Sequence, residues 1–351
     1  MLSIPFVDRL IVGLSLFQVP EGVQYSPSRA ANSVLVVVGK REDNFLSQSG
    51  ERARLDVIVN RKPSTDHDSP FSRPDRAPLF SVCVPPLFGK LNVLQFVEFL
   101  ELNRLLGARH FTFYKFRVSR EISRVLTFYE EAGLARSLPW NLPAPNDVWH
   151  KGQSLAVGDC LFRNMHVFDY VAFHDLDEFM VPRKVSSWRD LLDTVHAQSE
   201  NVDTIAAAYE LLPVVFYSPQ TAGRSAGGTL GASLLQSEVS KFLTLRSTLR
   251  GSVSSVNLTK LLVRPDRVLE LDVHHVVKPI SELYVSYKVD PHTASVHHYR
   301  QLTCSQASEH SAAPRCDELS EDRTVWRYKS LLVERTKLVL QQLNRLGPSL
   351  A

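Results

Sequence analysis

From residue 80 onward the chain alternates two kinds of apolar pattern, and that alternation restricts its fold more than any other feature. Residues 80–84 form a β-rich run stopped by Pro85-Pro86. Residues 91–106 are long, apolar and rich in helix formers, with Gly107 placed to end a helix. Residues 110–116 set Phe111 and Phe113 in alternation and read as a strand. Ile122, Val125, Leu126 and Tyr129 then fall at i, i+3, i+4 and i+7. This is one face of a helix that Ser119 can cap and Gly133 can end. A short strand at 135–138, a helical pattern over 153–165 and a buried-type strand at 170–173 follow. Strands alternating with helices predict an α/β fold: a doubly wound, mainly parallel sheet flanked by helices.

Beyond this core the pattern is less even. Ser187-x-x-Asp190 resembles a capping box before Leu191, Leu192 and Val195. Residues 204–211 read as a strand, and 261–263 and 268–271 as short strands around Arg264-Pro265-Asp266. Residues 324–346 form an amphipathic helical pattern, whereas 213–256 have no clear period. The first part carries two strand patterns, 33–38 and 55–59, then a polar segment with Pro63, Pro70, Pro74 and Pro78. The expected division is a β-containing extension and linker at 1–78 and a catalytic-type domain at 79–351.

At 44% hydrophobic residues the 351-residue chain can bury a large core. Its charge of +3 is nearly balanced and its Lys and Arg are not clustered, so nothing points to nucleic acid. The four cysteines, Cys83, Cys160, Cys304 and Cys316, include no C-x-x-C pair, which argues against zinc or thioredoxin chemistry. Cys83 and Cys160 lie in apolar surroundings and read as buried thiols, while Cys304 and Cys316 are close enough to close a small loop. No run approaches the roughly 20 apolar residues of a membrane span. Asn257-Leu258-Thr259 matches an N-glycosylation sequon.

Chemistry concentrates at Phe173-His174-Asp175-Leu176-Asp177-Glu178-Phe179. In open α/β sheets ligands bind beyond the carboxyl ends of strands, and Asp175 and Asp177 follow such an end directly. Two carboxylates at i and i+2 can turn toward one hard cation, Mn²⁺ or Mg²⁺, with Leu176 turned toward the core. In a nucleotide-sugar enzyme that cation bridges two phosphates and stabilises the departing diphosphate. The competing reading is a loop of solvated acids. The apolar segments on both sides weigh against it, because acids set between buried runs need partners. A nucleotidyl- or phosphotransferase would use the same acid pair, but no P-loop pattern supports it.

Several motifs in order resemble glycosyltransferase family 92. They are Cys83-Val84-Pro85-Pro86-Leu87-Phe88-Gly89, Phe96-Val97-Glu98-Phe99 and Leu105-Leu106-Gly107-Ala108-Arg109-His110-Phe111. His150-Lys151-Gly152-Gln153, Asp159-Cys160-Leu161-Phe162-Arg163 and the acid segment through Pro182 follow. Lys260-Leu261-Leu262-Val263-Arg264-Pro265 and His298-Tyr299-Arg300 complete the series. The resemblance implies a GT-A-type fold and metal-dependent, inverting transfer of a sugar, with galactose from UDP-galactose as the expected donor, to a glycan. It also implies a membrane-anchored Golgi protein, although this chain shows no membrane helix. A catalytically silent relative that binds glycan or nucleotide-sugar is the alternative, motivated by the irregular 213–256 stretch.

The remaining site expectations follow from residue type. GT-A enzymes often add a histidine as a metal ligand. His274-His275 and His297-His298 compete, and His298 is chosen because it opens the His-Tyr-Arg match. Lys260 and Arg300 are expected at the diphosphate. Gln153 at a helix start, with Asp159 and Arg163 four apart on that helix, is expected near the nucleotide; the latter two can equally pair with each other. Inversion needs a general base, and Glu178, Glu210 and Glu238 are the candidates, with no choice among them.

Overall fold

The computed structural model describes residues 77–142, 149–199, 201–218, 238–253, 258–303 and 316–345, together with strand segments 9–12, 15–18, 33–38 and 51–56. The chain divides into two units, 1–72 and 73–351. The first holds two antiparallel pairs. β1 (Arg9–Val12) pairs with β2 (Ser15–Gln18), and β3 (Ser33–Val38) with β4 (Glu51–Asp56). The expected second strand at 55–59 thus overlaps β4 only at its end; residues 57–59 lie outside the described residues, as does most of the proline-rich segment.

The second unit opens with β5 (Phe80–Cys83), α1 (Val93–Leu106), β6 (Ala108–Lys115), α2 (Arg120–Glu131) and β7 (Ala135–Pro139). Then come α3 (Gln153–Asn164), β8 (Tyr170–Phe173), β9 (Glu178–Pro182), α4 (Trp188–Gln198), α5 (Val202–Ile205) and β10 (Ala206–Leu211). β11 (Pro213–Ser218), α6 (Leu243–Arg246), β12 (Leu249–Val253), β13 (Lys260–Val263), β14 (Val268–Leu271) and β15 (Val276–Pro279) follow. The unit closes with β16 (Val285–Lys288), β17 (Ala294–Thr303), β18 (Ser320–Glu321) and α7 (Lys329–Arg345).

The helix starts follow their sequence signals. Ser119 and Ser187 each accept a hydrogen bond from the backbone N–H three residues on, which satisfies a donor that the helix leaves orphaned. Gly107 ends α1 at φ +127°, a conformation that favours glycine.

Seven strands form one sheet in the order β16-β10-β13-β8-β5-β6-β7. β8, β5, β6 and β7 run parallel, as the alternating pattern predicts. β13 is antiparallel to both of its neighbours, β8 and β10. The period of two sorts side chains between two faces. Phe80, Val82, Phe111, Phe113, Tyr170 and Ala172 pack into the core under α1, α2, α4 and α7. Cys83, Tyr114, Val171 and Phe173 pack on the other face with Ala156, Cys160 and Leu161 of α3. The sheet is therefore covered by helices on both sides, as the sequence predicts.

Two expectations are corrected. Residues 213–256 are not uniformly irregular: they contribute β11, α6 and β12. β11 and β12 join β9, β17 and β18 in a second, five-stranded sheet, ordered β18-β12-β11-β17-β9. Its partners come from distant parts of the chain, so no local period announces it. Cys83 and Cys160 are not free thiols but a disulfide, with Cα atoms 6.2 Å apart, that ties β5 to α3. Cys304 lies outside the described residues, as does Asn257 of the sequon.

Candidate active site

The acid segment is the crossing between the two sheets. β8 ends at Phe173 in the seven-stranded sheet, and β9 begins at Glu178 in the five-stranded one. Asp175, Leu176 and Asp177 make the link. The turn is closed by Glu178 N–H donating to the Asp175 carbonyl at 3.2 Å and by Asp175 N–H donating to Glu178 Oε2 at 3.1 Å. Register then brings in the histidine. β9 and β17 pair antiparallel with His298 opposite Glu178, while Tyr299 N–H donates to the Asp177 carbonyl at 2.7 Å. Leu176 packs against the core, as its position between the acids predicts.

Four charged groups and one imidazole meet here. Lys260, the first residue of β13, places Nζ 2.8 Å from Asp175 Oδ2 and 3.0 Å from Glu178 Oε2. The Lys260 and Glu178 side chains are each only 4% exposed, against 38% for Asp175. Burial pushes the Glu178 carboxyl up to about 7, with the Asp175 charge adding to the rise and Lys260 opposing it. Burial pushes Asp175 the same way, but the Lys260 ammonium and hydrogen bonds outweigh it and hold Asp175 below its ordinary value. Burial alone would lower the Lys260 pKa; the two carboxylates reverse that and raise it.

His298 stands on the other side of Glu178. Its Nδ1 faces Glu178 Oε1 at 3.4 Å and its Nε2 faces Asp177 Oδ2 at 3.4 Å. Arg300 Nε donates to His298 Nε2 at 3.2 Å. A guanidinium cannot accept, so Nε2 carries the lone pair and the proton sits on Nδ1, toward Glu178. That is the tautomer of a metal-ligating histidine with a carboxylate behind it. His298 Nε2, which accepts from Arg300 Nε, also stands 3.4 Å from the half-exposed Asp177 carboxylate, 41% exposed. Two ligands about 2.1 Å from an octahedral ion stand about 3 Å apart, close to this spacing. Among the described residues no group of three His, Cys, Asp or Glu side chains is arranged to hold a metal ion by itself. Asp177 and His298 are thus two side chains of metal-ligating type that stand side by side without completing a coordination shell of their own.

The competing histidines are elsewhere engaged. His297 is buried and stacked on Phe216 with ring centroids 4.4 Å apart. His274 Nδ1 contacts the Thr259 carbonyl at 2.9 Å, and His275 lies 3.9 Å from Asp272. Gln153 is buried at the start of α3 and lines a small cavity with Val84, Pro85, His174 and Lys260. Asp159 Oδ2 accepts from Arg163 Nε at 2.5 Å, so these two do pair, and it also accepts from Tyr114 OH at 2.7 Å. Glu238 is bound to Lys241 at 3.0 Å and Lys337 at 2.6 Å. Glu210 lies on β10, with its carbonyl accepting from Val289 N–H at 2.9 Å. Neither is joined to the Asp175–His298 cluster by a described contact.

Sequence reasoning missed two residues. His174 is buried with Nε2 unpartnered, packs edge-on against Phe99 at 5.5 Å, and has its pKa lowered to about 4 by burial. The apolar run around it concealed it. Glu98 is buried on α1 and accepts from Leu243 N–H, Thr244 N–H and Thr244 Oγ1 at 2.9, 2.8 and 2.6 Å. A glutamate on the apolar face of a helical pattern was the available signal.

Fold and site together define an α/β protein with an acid–histidine cluster at the carboxyl edge of its main sheet, where two sheets meet. The chain belongs to glycosyltransferase family 92, whose model matches residues 79–336. It is 29% identical over 224 residues to the β-1,4-galactosyltransferase galt-1 of Caenorhabditis elegans, covering 63% of this chain and 48% of that one. It is 30% identical over 118 residues to another family 92 protein of the same nematode, covering 30% of this chain and 23% of that one. The chain thus spans about half, or less, of the length of these curated relatives. Among solved structures, Staphylococcus aureus TarS in complex with UDP-GlcNAc overlaps 43% of this chain and 38% of its own, at 12% identity and a TM-score of 0.25. The galactosyltransferase LgtC, in complex with donor and acceptor sugar analogs, overlaps 54% of this chain and 58% of its own, at 12% identity and a TM-score of 0.22.

Proposed function

We propose that the protein is a metal-dependent, inverting glycosyltransferase that moves galactose from UDP-galactose onto a glycan hydroxyl. The observation that carries this reading is the Asp177–His298 pair, two metal-type donors facing each other at 3.4 Å at the carboxyl edge of the sheet. Asp177 and His298 would hold Mn²⁺ or Mg²⁺, with Glu178 fixing the imidazole and Asp175 tied to Lys260 beside them. When bound, the ion supplies Lewis-acid neutralisation of the charge that develops on the diphosphate. Arg300 is the cation suited to a phosphate oxygen, because its guanidinium is exposed and already reaches the metal-side nitrogen of His298. Lys260 acts from behind the acids, as a buried counter-charge. Family membership and the named activity of the nematode relative support galactose as the sugar.

None of Glu178, Glu210 and Glu238 is assigned as the base. Glu178 is held by Lys260 and His298, and Glu238 by two lysines. We place the protein on the lumenal side of the Golgi. The Cys83–Cys160 disulfide supports an oxidising compartment. Membrane association follows from the family alone; among the described residues no helix is long and apolar enough to cross a membrane.

One observation favours the silent alternative. The Lys260 ammonium already neutralises two of the acids, which a relative that binds glycan or nucleotide-sugar without turnover could retain for stability alone. The test is UDP release from a UDP-sugar panel with and without Mn²⁺, using Asp177→Ala as control. Mn²⁺-dependent release lost in the variant supports catalysis. Release unchanged by Asp177→Ala refutes the metal assignment, and no release with any donor and acceptor favours the silent reading.

A further inference from the structure

The seven-stranded sheet ends in β7 on one side and in β16 on the other, and the two edges are finished differently. A parallel strand bonds its neighbour through alternate residues, so the residues between aim their N–H and C=O groups outward. On β7 the Trp140 N–H, just past the strand, donates inward to the Lys115 carbonyl, which leaves Ser137 and Pro139 facing out. That edge is closed. Ser137 N–H donates to Glu130 Oε1 at 2.6 Å, and Pro139 has no N–H to offer. On β16 the Val289 N–H, just past the strand, donates inward to the Glu210 carbonyl at 2.9 Å, which leaves Ser286 and Lys288 facing out. Among the described residues no strand lies beyond them and no side chain meets their N–H groups. Apolar side chains rim this open edge. Leu283 is 78% and Val285 46% exposed, and Ile205 and Ile280 are exposed as well. They are neighbours: Val285 pairs with Ala206, next to Ile205, and Ile280 N–H donates to the carbonyl of Arg267, whose guanidinium reaches the Ala206 carbonyl. An edge with free backbone donors and an apolar rim is a template for another strand.

We propose that the β16 edge is covered by the β16 edge of a second copy of this chain, the two strands pairing antiparallel about a two-fold axis at Tyr287. The charges on the strand select this arrangement. Only outward-facing residues can form the hydrogen-bonded pairs, so a two-fold pairing can place Ser286 opposite Ser286, Lys288 opposite Lys288, or Ser286 opposite Lys288. The Ser286–Ser286 register brings Glu282 beside Asp290 of the second copy, twice over. The Lys288–Lys288 register sets two ammonium groups face to face. Like charges directly opposite destabilise a strand pair. The remaining register joins Ser286 to Lys288 of the second copy, sets the two Tyr287 rings opposite each other and carries Glu282 toward His292 of the second copy. It also covers Val285 with Val289 of the second copy, on the face where Tyr287 already packs edge-on against Tyr209. A strand of four residues makes few bonds, so the association belongs with weak, concentration-dependent interfaces.

The test is sedimentation velocity of the full chain across a wide concentration series, with two variants. Ser286→Pro removes an outward N–H and leaves the inward bonds to β10 in place. Leu283→Lys puts a charge on the most exposed part of the rim. A reversible monomer–dimer equilibrium is expected, weakened roughly tenfold or more in each variant. Circular dichroism checks that the variants keep the parent fold, and Leu283→Lys decides alone if Ser286→Pro does not fold. Cross-linking reads the register. Residues in a hydrogen-bonded pair stand about 5.5 Å apart, within reach of a disulfide. The double variant Ser286→Cys with Lys288→Cys should therefore form a covalent dimer on oxidation, and neither single variant should. A parent that stays monomeric at every concentration would overturn the proposal and leave the edge to a strand of another protein. Association unchanged in the variants would overturn it by placing the contact elsewhere, and covalent dimers from either single cysteine variant would overturn the axis at Tyr287.

Discussion

Replacing Lys260 by methionine tests whether the acid cluster is held by this lysine. Methionine keeps the stem and its packing but removes the ammonium. The 3.0 Å pair with Glu178 is buried on both sides, each side chain being 4% exposed. Above the raised Glu178 value of about 7, where the carboxyl is ionised, breaking a buried pair by deleting one partner costs about 3–5 kcal/mol, because the other charge stays buried without compensation, so the comparison is made at pH 9. The 2.8 Å contact with Asp175 adds little, since Asp175 is 38% exposed and solvent screens that pair to roughly 1 kcal/mol or less. The expected loss is therefore about 4 kcal/mol, a large part of the roughly 5–15 kcal/mol that an ordinary domain has. Urea unfolding followed by circular dichroism measures it. Adding Glu178→Gln in the methionine background should recover about half or more of the loss, because an amide does not need the counter-charge. The coupling from the double-mutant cycle should exceed about 1 kcal/mol. A Lys260→Met protein within about 1 kcal/mol of the parent, or a coupling near zero, would refute the buried-pair argument.

Other outcomes follow from the same geometry. His297 is buried and neutral, with its pKa lowered to about 3, so the unfolded chain takes its proton near 6.5 while the folded one does not. The stability it contributes is present above pH 6.5 and is lost as pH falls toward 3, by up to about 1.4 kcal/mol per unit; His297→Phe should flatten that slope in denaturation series across this range. The Cys83–Cys160 bond closes a loop of sequence separation 77, so Cys83→Ser with Cys160→Ser, or reduction, should cost about 4 kcal/mol, read as a lowered urea midpoint that dithiothreitol does not lower further in the double variant. Glu98→Gln keeps one acceptor of two and should cost about 1–3 kcal/mol, checked by the same unfolding assay.

How much was legible in the sequence depended on whether the signal was local. Strands at Tyr170–Phe173 and the helices after Ser119 and Ser187 rest on period and caps, which neighbouring residues supply by themselves. The position of Asp175 and Asp177 past a strand end was legible for the same reason. The five-stranded sheet was not. β11 pairs with β12 and with β17, and the register that sets His298 against Glu178 spans 120 residues of sequence separation, the difference between 298 and 178. The His-Tyr-Arg match named His298, but only strand pairing explains why His297, one residue earlier, turns into the core. Lys260 was expected at a phosphate because a lysine ammonium suits a point contact with a phosphate oxygen. Its burial between two carboxylates is a tertiary fact that no window of residues contains.

The proposed metal centre has a thermodynamic consequence that separates it from a preformed metal cage. The described residues offer the ion two facing donors, Asp177 and His298, with Asp175 and Glu178 already engaged by Lys260. Two protein ligands leave most of an octahedral shell to water or to phosphate oxygens. An ion held in that way binds weakly alone and more tightly with a nucleoside diphosphate. By linkage the diphosphate must gain from the ion the same factor that the ion gains from it. Arg300 sharpens the effect, because its Nε occupies the His298 lone pair when no ion does, and the ion must displace it toward the phosphates. Arg300→Ala should therefore strengthen Mn²⁺ binding in the absence of UDP while weakening UDP binding in the presence of Mn²⁺. Two calorimetric titrations measure this. If both affinities change in the same direction, Arg300 is not the group that exchanges between the histidine and the diphosphate.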